Sequence, residues 1–335
     1  DRVRRNGRPS TLAPMAKQAE FIVGIDLGGT KMHVGIVDRE DRIVGECRRK
    51  TRGDGGLDMV LDRMVEAVDR ACDDAGIDFD RVAAVGVGAP SAIDHPRGVA
   101  LRAVNLGWTD VPLRTLLEKR LDRPVALDND VNVAAWGESR LGAGRGVSTM
   151  LGVWVGTGIG GGLVLDGVLH RGHFFTAGEI GQMVIAASAP PGQRTVEEVC
   201  SRTGMVNALR GLVGRDEDSP LARRLHDAKR SHVGSSLLAE SYRARHPAVR
   251  SVVDHAAERL GLVLANLATV LSPEAIVLGG GVTEALGETW IELVRTPFRR
   301  WVFPDSMRRC RIEASTLGDH AGVLGAALQA RDATT

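Results

Sequence analysis

Two short glycine-rich stretches carry the chemistry this chain could do. Asp26-Leu-Gly28-Gly29-Thr30-Lys31 follows the apolar run Ile22-Val-Gly-Ile, and Gly156-Thr157-Gly158-Ile159 follows Met150-Leu-Gly-Val-Trp154-Val. The two align without a gap at an offset of 128 residues, and each runs into a second apolar segment ending at Asp38 or Asp166. Each copy predicts a strand, a tight turn and a returning strand, so the chain reads as internally duplicated. Glycines without Cβ let successive backbone N–H groups close around an anion, which makes each turn a candidate phosphate cradle. Two such cradles suit a nucleotide held between two domains. The copies differ where charge matters, because Asp26 in the first is Trp154 in the second. A carboxylate beside a phosphate is repelled unless a cation intervenes, so Asp26 is a candidate partner for Mg²⁺ through the ion's retained waters. The plainer alternative is a pair of ordinary hairpin turns, in which Gly and Asp are common.

The segment after the second turn excludes a dinucleotide fold. Gly156-Thr-Gly158-Ile-Gly160-Gly161 satisfies G-x-G-x-x-G, but that fingerprint needs a helix to open at the glycines. Leu163-Val-Leu-Asp166-Gly167-Val-Leu169 instead reads as another hairpin.

The elements that must position these turns are those of a two-domain α/β protein. The 335 residues, 43% apolar, are enough for two cores. A net charge of +1 offers no field for nucleic acid or an anionic membrane, so small molecules or further copies of the chain are the expected partners. The basic segment Asp1 to Ser10 lacks periodicity and predicts a disordered tail over residues 1–20, with Met15 an alternative start. The first apolar run begins at Phe21 and reads as a strand, not a signal peptide or membrane span. Cys47, Cys72, Cys200 and Cys310 lack ligand spacing and read as reduced thiols of a cytoplasmic protein. His170 and His173 could form half a metal site, but a polar loop is the simpler reading.

Along the chain, a strand is expected from Asp41 to Arg49, then a helix from Leu57 to Ala75 with Met59, Leu61, Met64, Val65 and Val68 as its apolar stripe. Val82 to Gly88 reads as a buried strand opening into the loop Ala89-Pro90-Ser91, at the end where open α/β sheets bind ligands. A helix from Pro112 to Leu121 and a strand from Val125 to Leu127 lead to Asp128-Asn129-Asp130 and a helix from Val131 to Leu141. Further helices are expected at Val196 to Leu212, Pro220 to His232, Ser235 to Arg245, Val249 to Leu271 and Ala321 to Ala330. Ala275 to Leu278 reads as a buried strand ending at Gly279-Gly280-Gly281. Either aspartate of Asp128-Asn129-Asp130 could cap the following helix; capping or a turn suits Asp128, and chemistry suits Asp130.

These residues resemble the ROK family of repressors, uncharacterised proteins and sugar kinases. The likeness is carried, in order, by Asp26 to Thr30, Gly86 to Pro90, Asn105-Leu-Gly-Trp108, Asn129-Asp130-Val-Asn132, Gly156 to Gly162, Ala177-Gly-Glu179-Ile-Gly181, Gly279 to Gly281 and Asp319-His-Ala-Gly322. It runs from about Phe21 to Ala330. The resemblance implies a two-domain actin-like ATPase fold of the ribonuclease H-like type, with a smaller domain of residues 21–131 plus 319–335, a larger one of residues 132–318, and a cleft between them. It implies an ATP-dependent, glucokinase-like enzyme using Mg²⁺, with Asp130 as general base toward a hexose 6-hydroxyl. Asn105, Asn129, Asp130, Glu179 and Glu197 match the family's sugar contacts, with Ser91 and Gln182 beside them. ATP would lie between Asp26 to Lys31 and Gly156 to Gly158, its adenosine by Gly279, Gly280 and Gly281. A homodimer is a family expectation.

The chain departs from the family's zinc-binding pattern. Gln182 stands where zinc-binding members have histidine, and Ser188 to Thr195 contain no cysteine, so no zinc is expected in that loop. Glutamine can still hydrogen-bond a sugar hydroxyl. Glu197 or Glu198 could instead stabilise the first turn of the helix they open. The family's repressors carry a helix-turn-helix ahead of this body, and the stretch before Phe21 is too short for one. An N-acetylhexosamine kinase and a catalytically weak sugar-binding regulator are the alternatives, and polyphosphate is an alternative phosphoryl donor to ATP.

Overall fold

The computed structural model describes residues 20–213, 220–227 and 233–334. Residues 1–19 of the expected tail and residues 228–232 of the helix expected to His232 lie outside them. Glu20, assigned to that tail, is tied down: its N–H donates to the Arg81 carbonyl at 2.9 Å and its carboxylate pairs with the Arg81 guanidinium.

Two five-stranded sheets carry the molecule, and they have the same plan. In the first, the hairpin β1 (Phe21–Leu27) and β2 (Lys31–Val37) extends to the edge strand β3 (Ile43–Lys50), and on its other side β1 pairs in parallel with β4 (Val82–Ala89). β8 (Val125–Asn129) completes the order β3-β2-β1-β4-β8. Before it comes a small antiparallel sheet of β5 (Ala92–Asp94), β6 (Val99–Ala103) and β7 (Trp108–Val111). The second large sheet repeats the first: β9 (Met150–Val155), β10 (Ile159–Leu165), β11 (Val168–His170), β12 (Ala275–Gly279) and β13 (Arg311–Ala314) lie in the order β11-β10-β9-β12-β13. The duplicated hairpin is thus the visible part of a duplicated sheet. Residues of the central strand β1 are mostly buried, whereas edge strand β3 largely alternates between covered and exposed positions, as position in a sheet requires.

Helices α1 (Leu57–Ala75) and α2 (Leu113–Leu121) belong to the first half. α3 (Asp130–Leu141) follows β8. The second half carries α4 (Val196–Cys200), α5 (Arg202–Val213), α6 (Pro220–Asp227), α7 (Ser235–Arg243), α8 (Pro247–Leu271), α9 (Gly281–Leu286) and α10 (Glu288–Trp301), and α11 (Ala321–Asp332) closes the chain. In α1 the buried stripe is Val60, Leu61, Met64, Ala67, Val68, Ala71 and Cys72; Met59, expected on it, is exposed. The span expected to be one helix from Val196 to Leu212 is broken at Ser201, where the backbone becomes extended. The small sheet, α9, α10 and β13 were not foreseen.

Separate apolar cores lie with each sheet: Val23, Ile25, Met64, Val85 and Leu117 in the first, Leu151, Val153, Leu264, Trp290 and Phe298 in the second. α11 packs on β1 and β4, α3 packs on β9 and β10, and the two helices pack on each other. Gly137 and Gly325 make that crossing possible, since a Cβ on Gly325 would stand 1.7 Å from the Val133 carbonyl oxygen. No helix among the described residues is long and apolar enough to cross a membrane.

Candidate active site

The first turn is closed by the Gly28 N–H donating to the Lys31 carbonyl at 2.9 Å. It is held from the end of β3 by Thr51, whose hydroxyl donates to the Gly28 carbonyl at 2.7 Å and whose N–H donates to the Thr30 carbonyl at 2.8 Å. Asn105, brought in between β6 and β7, lies against it: a Cβ on Gly29 would stand 2.8 Å from the Asn105 Cβ. Asp26 sits at the carboxyl end of β1, with Gly322 of α11 against its carboxylate. Burial, then the charge of Asp319, pushes its pKa up to about 6.

Asp128, Asn129 and Asp130 divide three tasks. The helix cap is Asn129, whose Oδ1 accepts from the N–H groups of Val131 at 2.9 Å and Asn132 at 3.0 Å. Its Nδ2 donates to the Ser91 carbonyl, leaving one amide hydrogen for a ligand. Asp128, expected to cap or turn, does accept from the Asn129 N–H at 2.7 Å, but its carboxylate is fully buried and its main role is an ion pair at 2.7 Å with the partly exposed Arg171. Burial alone would raise its pKa; His95, Arg171 and Asn132 together hold it below the ordinary carboxylate range. Arg171 follows β11, so this pair ties the two sheet units together. A cavity lined by His95, Arg114, Trp136, Arg171 and Gln329 lies behind this pair, and none of the cleft carboxylates Asp26, Asp130 and Glu179 lines it. Ser91 serves the scaffold: its buried hydroxyl donates to the Ala92 carbonyl at 2.8 Å and accepts from the Arg102 N–H at 3.0 Å.

Asp130, at the first turn of α3, is pushed up to about 7 by burial, by the charge of Asp26 and, more weakly, by Glu179, against a hydrogen bond from the Val131 N–H. Glu179 is itself held above the ordinary range by its packing and by Glu197. Carboxylates from both halves therefore face one another, and no cationic side chain among the described residues pairs with Asp26 or Asp130. Such a set suits a divalent cation and a polyhydroxylated ligand.

The second turn is braced differently. The Gly156 N–H donates to the Gly158 carbonyl at 2.9 Å. The Arg202 guanidinium donates to the Thr157 hydroxyl at 2.5 Å, the Arg202 N–H to the Gly156 carbonyl at 2.9 Å, and the Thr203 hydroxyl to the Thr157 carbonyl at 2.6 Å. Glu197 accepts from the Ile159 N–H at 2.9 Å, and so holds the turn. Glu198 forms the capping box with Thr195. Gln182 ends a single 3₁₀ turn beginning at Ile180 and is exposed. Trp154 lies against Gly279, where a Cβ would stand 2.6 Å from the indole, so the third glycine run stands beside the second turn. Gly280, at φ 84°, then opens α9.

The N–H groups of Gly29, Thr30, Thr157 and Gly158 make no hydrogen bond among the described residues. Donors left unpaired in two matched turns are what a phosphate chain requires. Arg202, which sequence reasoning missed, adds a half-buried cation with no carboxylate partner among the described residues. No local pattern marks it; only the fold brings the start of α5 to the turn. His170 and His173 form no ligand cluster among the described residues, and His173 stacks edge-on to Phe174 instead.

Comparison with known proteins agrees with this geometry. The chain is 35% identical over 310 residues to a glucokinase of Halalkalibacterium halodurans, covering 91% of this chain and 93% of that protein. It is 26% identical over 325 residues to a xylose repressor of Caldicellulosiruptor bescii, covering 96% of this chain and 80% of the repressor. In structure it matches a ROK family glucokinase from Streptomyces griseus, solved in complex with glucose and AMPPNP, at a TM-score of 0.81 and 32% identity, covering 93% of this chain and 99% of that one. The two-sheet fold is the actin-like ATPase fold of these kinases. With residues 22–333 matching the model of the ROK family, the chain belongs to that family.

Proposed function

We propose that this chain is an ATP-dependent hexose kinase that transfers the γ-phosphate to the 6-hydroxyl of glucose or a closely related hexose. The observation that carries this reading is the cleft itself: two turns with unpaired amides flank an uncompensated carboxylate set that contains Asp130. The glucose and AMPPNP complex of the Streptomyces griseus relative supports both ligands.

Asp130 takes the proton of the attacking hydroxyl. A base poised near neutrality suits that step, and its site on a capped helix turn fixes its direction. Asn105, Glu179 and the remaining amide hydrogen of Asn129 hold the sugar, because vicinal hydroxyls both donate and accept. Glu197 acts by fixing the second turn, and the exposed Gln182 is a further candidate to hydrogen-bond a sugar hydroxyl. Gly28 to Lys31 and Gly156 to Gly158 bind the phosphates with Arg202, while Gly279 to Gly281 lie by the adenosine. Mg²⁺, when bound, neutralises phosphate charge, and Asp26 is the residue that would hold it through water. Phosphoryl transfer asks little covalent work of the protein, so positioning and charge neutralisation carry the rate. Residues 21–131 with 319–335, and residues 132–318, are the two bodies proposed to close on the sugar and exclude water.

A coupled assay of ADP formation over glucose, mannose, N-acetylglucosamine, N-acetylmannosamine, fructose and allose, with ATP and polyphosphate compared, tests the reading. Sugar-dependent turnover highest with glucose or mannose is expected, and absence of turnover with every sugar and donor defeats it. The likeness to a xylose repressor motivates a second reading, a sugar-binding regulator, which that null result would favour. A homodimer, tested by light scattering, belongs to the same proposal.

A further inference from the structure

We propose that His33, Glu46 and His320 form a binding site for a divalent first-row transition ion of the Zn²⁺ class, separate from the Mg²⁺–nucleotide site. Far apart in sequence, they meet because of register. His33 on β2 stands opposite Arg48 on β3, Glu46 lies two residues from Arg48 on the same face, and His320 immediately precedes α11. One ligand atom from each residue lies within 4.8 Å of the other two. The Glu46 Oε2 is 2.8 Å from the His33 Nε2 and 3.3 Å from the His320 Nε2. Tetrahedral ligands at zinc distances stand about 3.3 Å apart, close to both separations from the Glu46 oxygen, so an ion would draw in chiefly the two histidine nitrogens.

Hydrogen-bond bookkeeping favours a metal over a proton. The His33 Nε2 faces a carboxylate oxygen, and its Nδ1 faces the Asp319 carbonyl oxygen at 3.3 Å. Both neighbours are acceptors, yet a neutral imidazole carries one hydrogen. With protons alone, this mostly buried ring must be an imidazolium or set a lone pair against an oxygen. With a metal, the Nδ1–H donates to the Asp319 carbonyl, and the Nε2 of each histidine joins the Glu46 carboxylate as a ligand. A ring N–H on a backbone carbonyl is the usual support of a metal-bound histidine. Two imidazoles and one carboxylate select zinc-like ions over Mg²⁺ or Ca²⁺, which prefer all-oxygen shells. Glu46 and His320 are partly exposed, which gives an ion access and leaves a fourth position for water. The neighbouring charges are Arg48, 3.8 Å from Glu46, and Asp319, which binds Arg48 at 2.7 Å.

The site would clip the start of α11 to β2 and β3. Gly322, two residues beyond His320, rests on the Asp26 carboxylate, so the clip also fixes the helix end that covers Asp26.

Full-length protein stripped with chelator would be titrated with Co²⁺ in excess Mg²⁺, following visible absorption, and its Tm measured with and without Zn²⁺. The expected result is one Co²⁺ per chain with a ligand-field band, and a Tm raised by Zn²⁺. His320→Ala, at a partly exposed side chain, should weaken Co²⁺ at least about a hundredfold and abolish the Tm rise. Glu46→Gln should act in the same direction, while His173→Ala should bind as the parent does. Circular dichroism verifies that each variant is folded. The proposal is overturned if no saturable Co²⁺ site exists in Mg²⁺, or if folded His320→Ala or Glu46→Gln binds as tightly as the parent.

Discussion

The two glycine turns are built to one plan and set in opposite electrical surroundings. The first lies beside Asp26 and Asp130, two acids raised by burial, Asp26 also by the charge of Asp319 and Asp130 by that of Asp26. The second puts Trp154 where the first has Asp26, and is gripped by the Arg202 guanidinium. Both keep unpaired amides, so a phosphate fits either; the difference concerns what else each side must handle. On the proposed reading, the acidic side serves a cation and the attacking hydroxyl, whereas at the second turn Glu197 is taken up by the Ile159 N–H and Arg202 supplies the positive charge for phosphate. The turn is present twice, and the side chains that flank its two copies differ in charge.

The sharpest way to break this comparison is at Asp130. Asp130→Asn should lower kcat by roughly 10² to 10⁴ while sugar affinity, measured by calorimetry, changes little; near-normal turnover would move the base elsewhere. In the parent, kcat/KM should fall as the pH drops through about 7, because Asp130 must be ionised to accept a proton.

Asp26→Asn should separate activity from stability. Turnover should fall by about 10², and the Mg²⁺ needed for half-maximal rate should rise. Without ligands the same variant should be more stable at neutral pH, by about 1–3 kcal/mol. The sign follows from the raised pKa: the stability linked to the Asp26 proton is full below 3.8 and lost as the pH rises through about 6. Denaturation at pH 5 and pH 8 measures it, and a variant less stable than the parent at pH 8 would refute the charge argument.

On the opposite side, Arg202→Ala should raise the KM for ATP about tenfold with little change in that for sugar, and lysine should restore part of the loss. An equal effect on both substrates would mean that Arg202 only supports the fold. The smallest expected effect on catalysis concerns the tie between the halves. Arg171→Ala leaves the buried Asp128 carboxylate with His95 and Asn132 as its remaining side-chain partners and should cost about 1–3 kcal/mol of stability. Because the Asp128 pKa is depressed, its contribution is present above 3.8 and disappears as the pH falls through the lower folded value. The Tm gap between parent and variant should therefore narrow in acid, and a constant gap would assign the loss to packing.

Much of this was legible along the chain, for a local reason. A strand, a glycine turn and a returning strand are written in consecutive residues, so both hairpins, β4, α1 and α8 could be read from pattern. β8 and β12 are as short but stand out as apolar runs, whereas β6, β7 and β13 were missed because charged or polar residues interrupt them, and β5 is only three residues long. Met59 misled because it neighbours Val60, and only packing against the sheet decides which of two adjacent apolar residues turns inward.

What the sequence by itself determined is the repeated glycine hairpin, the acid in one copy and its absence from the other, and the family motifs with Asp130 among them. What only the tertiary structure decided is company. Asn129 rather than Asp128 became the cap, Asp128 became the buried tie to Arg171, Arg202 came to the second turn, and His33 and Glu46 met His320. The physical reason is one of range. Backbone conformation follows from neighbours in sequence, whereas charge pairing, proton placement and metal ligation depend on side chains that only sheet register and helix crossings bring within a few ångströms.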